Sequence, residues 1–177
     1  MDIGGGSVEF ILCNEEGIQW LKSFEIGGQR LLENFHVHDP IPPQNIEQLN
    51  EYLDEQLQPL FEVCNKYQPT HLLGASGSFD TLSEIYCEQY GDYFNENETL
   101  SFNLPITTTI KIIDDIVSKD HTERLLIPGM IALRADMIVV AGLLVKRVLE
   151  TIQFKHITTT SYALKEGLIF TPSLEEL

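Results

Sequence analysis

The sequence predicts an α/β domain built on a mixed sheet, and three features carry that expectation. Near the N-terminus, Val8, Phe10 and Leu12 alternate with Ser7, Glu9 and Ile11; the turn residues Asn14-Glu15-Glu16-Gly17 follow, then Ile18, Trp20, Leu21, Phe24 and Ile26, the pattern of a two-stranded hairpin. From Asn45, apolar residues fall at Ile46, Leu49, Leu53, Leu57, Leu60, Phe61 and Cys64, the stripe of an amphipathic helix. His71-Leu72-Leu73-Gly74 then reads as a short buried strand entering the small-residue turn Ala75-Ser76-Gly77-Ser78, after which Phe79, Leu82, Ile85 and Tyr86 mark one helical face.

Taken in order, Gly27-Gly28 ends the hairpin, and Asp39-Pro40-Ile41-Pro42-Pro43 has the composition of a linker. Asn45 and Gln48 are spaced as a capping box for the helix that follows, and Pro59 is expected to kink or split it. The Asp92–Thr99 stretch is a second linker-like cluster. Thr107–Val117 reads as a helix, Pro128-Gly129 as an interruption, and Met130–Leu149, apolar nearly all round, as a helix buried among other elements. Phe154–Thr159 is the last strand and Tyr162–Phe170 the last helix. With no repeats or low-complexity tracts, residues 1–177 read as one domain.

Composition narrows the function. A 177-residue chain with 43% hydrophobic residues holds enough apolar surface for one core. Its net charge of −16 argues against an electrostatic grip on nucleic acid or on an anionic membrane surface. That charge is uneven: residues 1–110 carry 3 basic and 18 acidic side chains, residues 111–177 carry 8 and 9. Cys13, Cys64 and Cys87 lie far apart without metal-site spacing, which suits a reducing cytoplasm. The longest apolar run, Met137–Val145, is far shorter than the ~20 residues that span a bilayer.

The chemistry is concentrated in Asp2-Ile3-Gly4-Gly5-Gly6-Ser7-Val8-Glu9. Three consecutive glycines let backbone N–H groups approach an anion without an intervening Cβ, and Ser7 adds a hydroxyl donor. Asp2 and Glu9 flank the turn, and carboxylates beside a phosphate-binding loop suit Mg²⁺, which takes a few such ligands together with waters and phosphate oxygens. A plain glycine-rich hairpin turn is the alternative reading of the same residues. Elsewhere, His36-Val37-His38-Asp39 reads as a solvated polar turn rather than a metal site, and Asp114-Asp115 and Glu175-Glu176 as solvated charges. His71 and His156 read as hydrogen-bonded structural residues, and the cysteines as packing residues.

The segment Asp2–Glu9 resembles the second phosphate-binding motif of the exopolyphosphatase and guanosine pentaphosphate phosphohydrolase family, whose members have the actin-like fold shared with sugar kinases and Hsp70. Three further stretches agree in order: Gly74-Ala75-Ser76-Gly77-Ser78 with the glycine-rich turn of that family's second lobe, Ile127-Pro128-Gly129 and Arg134-Ala135-Asp136 with its Pro-Gly and Arg-Ala-Asp segment, and Ala163-Leu164-Lys165-Glu166-Gly167 with its closing helix. The resemblance implies an actin-like (ribonuclease H-like) lobe, a mixed sheet with helices on both faces and its first strand missing. It also implies that residues 1–177 form the second, C-terminal lobe of a two-lobe enzyme whose N-terminal lobe lies outside this chain.

Carried onto this sequence, the resemblance implies phosphate contacts from Gly4, Gly5, Gly6 and Ser7, a metal role for Asp2, and a metal or catalytic, water-directed role for Glu9. Gly74, Ser76, Gly77 and Ser78 would form a second glycine-rich turn. The chain departs from the family pattern at Val8, where Thr is common, and shows no basic residue within Gly74–Ser78. The implied activity is Mg²⁺-dependent release of terminal phosphate from inorganic polyphosphate or a guanosine penta- or tetraphosphate. The alternatives are a non-catalytic phosphate- or nucleotide-sensing module of the same fold and, further off, a sugar-kinase-like lobe. The missing lobe is an expected partner, and an apolar face left without it would favour a homodimer.

Overall fold

The computed structural model describes residues 1–91, 101–160 and 162. Six strands form one mixed sheet in the order β3-β2-β1-β4-β6-β5. The hairpin is β2 (Val8–Asn14) and β3 (Gly17–Phe24), antiparallel, with a bulge between Leu12 and Cys13. Inside the sheet, β1 (Asp2–Ile3), β4 (His71–Ala75) and β6 (His156–Thr160) run parallel, and β5 (Ser101–Leu104) closes the far edge antiparallel to β6. The strand expected to be missing is present as β1, two residues at the centre of the sheet, paired to β2 at Asp2↔Glu9 and Ile3↔Val8 and to β4 at Asp2↔Ala75.

Burial alternates along the strands, as a sheet with one packed face requires. Val8, Phe10, Leu72 and Ile157 are buried, whereas Ile11, His71, Leu73 and His156 are exposed. The helices gather around α6 (Met137–Thr151), whose residues Ile138–Val145 are all buried. Against it pack α1 (Gly28–Phe35), α2 (Pro43–Tyr67), α3 (Gly77–Tyr90) and α4 (Ile106–Ser118). No helix covers the other face among the described residues; the expected helix at Tyr162–Phe170, the Ala163–Gly167 motif and the Asp92–Thr99 stretch lie essentially outside them. No described helix is long and apolar enough to cross a membrane.

Several local expectations are corrected. Helix α2 does not start with a box at Asn45 and Gln48: Pro42 is its N-cap and Pro43, with no N–H to lose, fills the first helical position. The Asn45 side chain instead donates to Phe35 O at 2.9 Å, tying α2 to the end of α1. The helix also runs 25 residues through Pro59 without splitting. Gly27-Gly28 does not merely end the hairpin; it opens α1, which the sequence reading missed. The Met130–Leu149 segment begins with a 3-10 turn at Ala132–Arg134 and becomes α-helical only at Met137.

The turn at His36–Asp39 is solvated at Val37, His38 and Asp39, as expected, but not at His36. The His36 side chain is 3% exposed and meets Asp39 Oδ1 at 3.1 Å, because Asp39 receives a fully buried arginine. Arg124, on the short helix α5 (His121–Arg124), donates to Asp39 Oδ1 (2.8 Å) and Oδ2 (3.1 Å), to Asp136 Oδ1 (3.0 Å), and to the carbonyls of Ala135 and Lys119. His121 adds a bond to Asp136 at 2.6 Å. Burial works to raise the pKa of Asp39 and of Asp136, but the hydrogen bonds and charges of Arg124, with His121 on both and His36 on Asp39, outweigh it and hold both below 3.8.

A group whose folded pKa is depressed contributes its stability above the unfolded value and loses it as pH falls through the folded one. Asp39→Asn is thus expected to lower the melting temperature at pH 7 and to flatten the loss of stability below pH 3.8; an unchanged acid limb would remove Asp39 from that role. Arg124→Met, which leaves two carboxylates without their cation, should cost about 3 kcal/mol, or on the order of 10 °C, in a thermal melt at pH 7.

Candidate active site

Strands β1 and β4 are adjacent and parallel, so the turns that leave their C-terminal ends emerge at the same edge of the sheet, where α/β folds place ligands. The first turn is Gly4–Ser7 and the second begins at Ala75-Ser76-Gly77. Ser76 joins them: its hydroxyl accepts from Ile3 N–H at 3.2 Å and donates to Ile3 O at 2.9 Å. Between the turns lies a cavity of about 210 Å³ bounded by Gly4, Gly5, Gly77, Ser78 and Arg134. The two glycine-rich stretches, some 70 residues apart in sequence, are therefore brought together around one cavity.

The geometry of the first turn is set by α1. Gly28 N–H donates to Gly4 O and Gln29 N–H to Gly5 O, both at 2.9 Å, while Gly27 N–H and Arg30 Nε reach Gly6 O at 3.2 and 2.9 Å. Helix α1 has no side-chain cap, and the turn's carbonyls fill that role. The approach is possible only because residue 27 is glycine: a Cβ there would stand 2.4 Å from Gly6 C and Ser7 N. Within the turn, Gly4 N–H closes on Ser7 O at 2.9 Å. The N–H groups of Gly5, Gly6 and Ser7 meet no backbone carbonyl among the described residues, which leaves three adjacent donors for an anion.

Asp2 and Glu9 are cross-strand partners and so share a face, the exposed one; neither lines the cavity between the turns. Glu9 is held by two hydroxyls on one oxygen: Ser7 Oγ and Ser23 Oγ each donate to Oε1 at 2.6 Å, leaving Oε2 open. Ser7 is thus turned toward Glu9. Ser23, opposite Glu9 on β3, escaped the sequence reading because only the strand pairing brings it there. A donor set of two carboxylates on one face matches Mg²⁺, which keeps several waters and phosphate oxygens, and is too small for a site built wholly of protein ligands. Indeed, no group of three or more His, Cys, Asp or Glu side chains able to hold a metal ion occurs among the described residues.

The basic residue absent from Gly74–Ser78 is supplied from elsewhere. Arg134 Nη1 donates to Gly77 O at 2.5 Å and lies 3.8 Å from Asp80 Oδ2, with its side chain 28% exposed. A Cβ on residue 77 would meet Arg134 Cζ at 2.3 Å, so Gly77 gives the guanidinium its place over the second turn. His71, as expected, is structural: its Nε2 meets Thr158 Oγ1 at 2.6 Å on the open face.

Comparison with known proteins agrees with this architecture. The family model described as Ppx/GppA phosphatase family matches residues 1–176. Among curated relatives, a guanosine-5'-triphosphate,3'-diphosphate pyrophosphatase of Vibrio parahaemolyticus is 27% identical over 96% of this chain and 32% of its own length, and exopolyphosphatase 1 of Mycobacterium bovis is 26% identical over 96% and 48%. The crystal structure of an exopolyphosphatase from Cytophaga hutchinsonii superposes with a TM-score of 0.89 at 44% identity, covering 97% of this chain and 55% of that one. The PPX-GPPA enzyme of Aquifex aeolicus, at 22% identity and a TM-score of 0.80, shares the fold. The chain thus spans a third to about half of the proteins it matches. With both glycine turns, the sheet order and a family model matched from residue 1 to 176 in agreement, this chain belongs to the Ppx/GppA phosphatase family.

Proposed function

We propose that residues 1–177 are the second lobe of a two-lobe phosphohydrolase that releases terminal phosphate from inorganic polyphosphate or a guanosine penta- or tetraphosphate. The observation that carries this reading is the first turn: its carbonyls are bound by α1, and the N–H groups of Gly5, Gly6 and Ser7 are left as donors beside two carboxylates. Such donors stabilise charge gathering on phosphate oxygens in the transition state. Asp2 and Glu9 would hold Mg²⁺, whose chemistry when bound is to neutralise charge on those oxygens. Glu9, fixed by Ser7 and Ser23, orients a water or metal ligand through Oε2. Arg134 places positive charge at the second turn, where a further phosphate of the chain would lie.

One observation favours a sensing module instead: the Ser7 hydroxyl, a candidate phosphate donor, is engaged with Glu9. Phosphate release from polyphosphate and from the guanosine substrate, measured for this chain alone and joined to a first lobe, separates the two. The enzyme reading expects turnover only from the joined form, and none from either form would support the sensor.

Within the joined form, Glu9→Gln should lower kcat by about 10²–10⁴ while leaving the melting temperature within a few degrees. Ser23→Ala, which removes one of the two hydroxyls that fix Glu9, should lower it about tenfold. Equal losses would mean that Ser23 acts on something other than Glu9. Arg134→Met should raise KM more than it lowers kcat, the signature of lost binding common to ground and transition states; a kcat effect alone would exclude a binding role.

A further inference from the structure

Two residues other than glycine have a positive φ among the described residues, Gln68 and Ser76. Gln68, at φ 50° and ψ 56°, ends α2 in the left-handed conformation that helix C-termini commonly take. Ser76 differs: φ 77° with ψ 174° lies in a region essentially reserved for glycine. A serine there also forgoes a favourable role. It occupies the N-cap of α3, where a serine hydroxyl ordinarily bonds the first turn of its own helix, yet it makes no such bond.

What the hydroxyl does instead lies across the sheet. Along β1 and β4, Ala75 N–H donates to Met1 O at 2.9 Å, and Asp2↔Ala75 is the last paired position. The next rung of a parallel ladder would carry Gly77 N–H to Ile3 O. That bond is absent among the described residues, because the chain turns there into α3. Ser76 Oγ takes its place, donating to Ile3 O at 2.9 Å and accepting from Ile3 N–H at 3.2 Å. A side chain thus extends the ladder by one rung past the point where β4 leaves the sheet. Glycine at this position would fit the backbone without strain, but it has no hydroxyl to make the link.

Both ends of this clasp act on the candidate site. The Ile3 carbonyl belongs to the same rigid peptide plane as Gly4 N–H, which closes the first turn on Ser7 O at 2.9 Å. The Ser76 hydroxyl therefore holds that plane by one edge and Ser7 holds it by the other. On the opposite side, the residue after Ser76 is Gly77, whose carbonyl accepts from Arg134. We infer that Ser76 is a positioning residue, acting through Ile3 and Gly77. It fixes the spacing between the Gly5–Ser7 N–H groups and Arg134, so that one oligophosphate is held by both turns, and the fold gives up an unstrained backbone and a helix cap to keep it there. The inference rests on the phosphohydrolase reading of this site and adds to it the residue that aligns its two halves.

Ser76→Ala and Ser76→Gly, made in the protein joined to its first lobe, separate the two components. Both remove the hydroxyl, and only glycine also removes the strain. Ser76→Gly is therefore expected to melt about 5 °C or more above Ser76→Ala, the reverse of the order at ordinary positions. Affinity for the non-hydrolysable imido analogue of tripolyphosphate with Mg²⁺, measured by calorimetry, is expected to fall about tenfold or more in both variants. Stability and affinity then part, which a merely structural role does not allow. Ser76→Gly binding as tightly as the parent protein overturns the inference, as does Ser76→Ala melting at or above Ser76→Gly. A parent protein that binds none of the analogue overturns the phosphohydrolase reading instead. Amide exchange at Ile3 and Gly4 then judges the clasp alone: exchange about tenfold faster in both variants upholds it, and unchanged exchange removes it.

Discussion

The contact between the Gly4–Ser7 turn and the start of α1 governs much of what surrounds it. Backbone meets backbone there with no side chain intervening, and the carbonyls of Gly4, Gly5 and Gly6 all bond to the first residues of one helix. A single interaction caps α1 and fixes which groups of the turn remain for a ligand. It also anchors the turn to the core, because α1 packs on α6 and α6 is the helix that the rest of the layer surrounds. Changing residue 27 would disturb capping, turn geometry and the seat of α1 together.

Elements with a clean period were legible in the sequence: the alternation of Val8–Leu12, the stripe from Ile46 to Cys64, the strand at His71–Gly74 and the helix after it. What escaped was decided by tertiary contact. Leu31, Leu32 and Phe35 carry helical spacing, but the glycine pair before them reads locally as a break, and only the turn across the sheet edge makes it a helix entry. β5 is four residues long, too short for a pattern, and exists because β6 offers it an edge. The same holds in the candidate site. Its glycines were visible because their chemistry is continuous in sequence. Ser23 and Arg134 were not, since one reaches Glu9 through a strand pairing and the other reaches Gly77 from the segment before α6. Arg124 hid likewise: nothing near His36–Asp39 in sequence announces the buried cation that draws that turn inward.

The strongly acidic composition and the proposed polyanionic ligand are reconciled by how the candidate site is made. Its two arginines are already engaged by the chain's own acids, Arg30 with Glu25 at 2.5 Å and Arg134 near Asp80. Net positive charge is scarce, and fixed dipoles carry the burden: N–H groups held in place act at short range and are little affected by the distant carboxylates that salt screens. Such a site discriminates by shape and direction more than by attraction from afar.

The position of β1 bears on how the chain assembles as it is made. Strand β1 lies at the middle of the finished sheet, yet its neighbours on one side are Leu73 and Ala75, and β4 in turn waits for residues up to Thr160. The β2–β3 hairpin needs only nearby residues and can close within microseconds of leaving the ribosome. The centre of the sheet must remain open until most of the polypeptide has emerged. Such long-range pairing slows folding. The glycine turn of Gly4–Ser7 can dock on α1 through contacts within the first thirty residues, whereas the turn it faces is brought to it only when β1 and β4 pair.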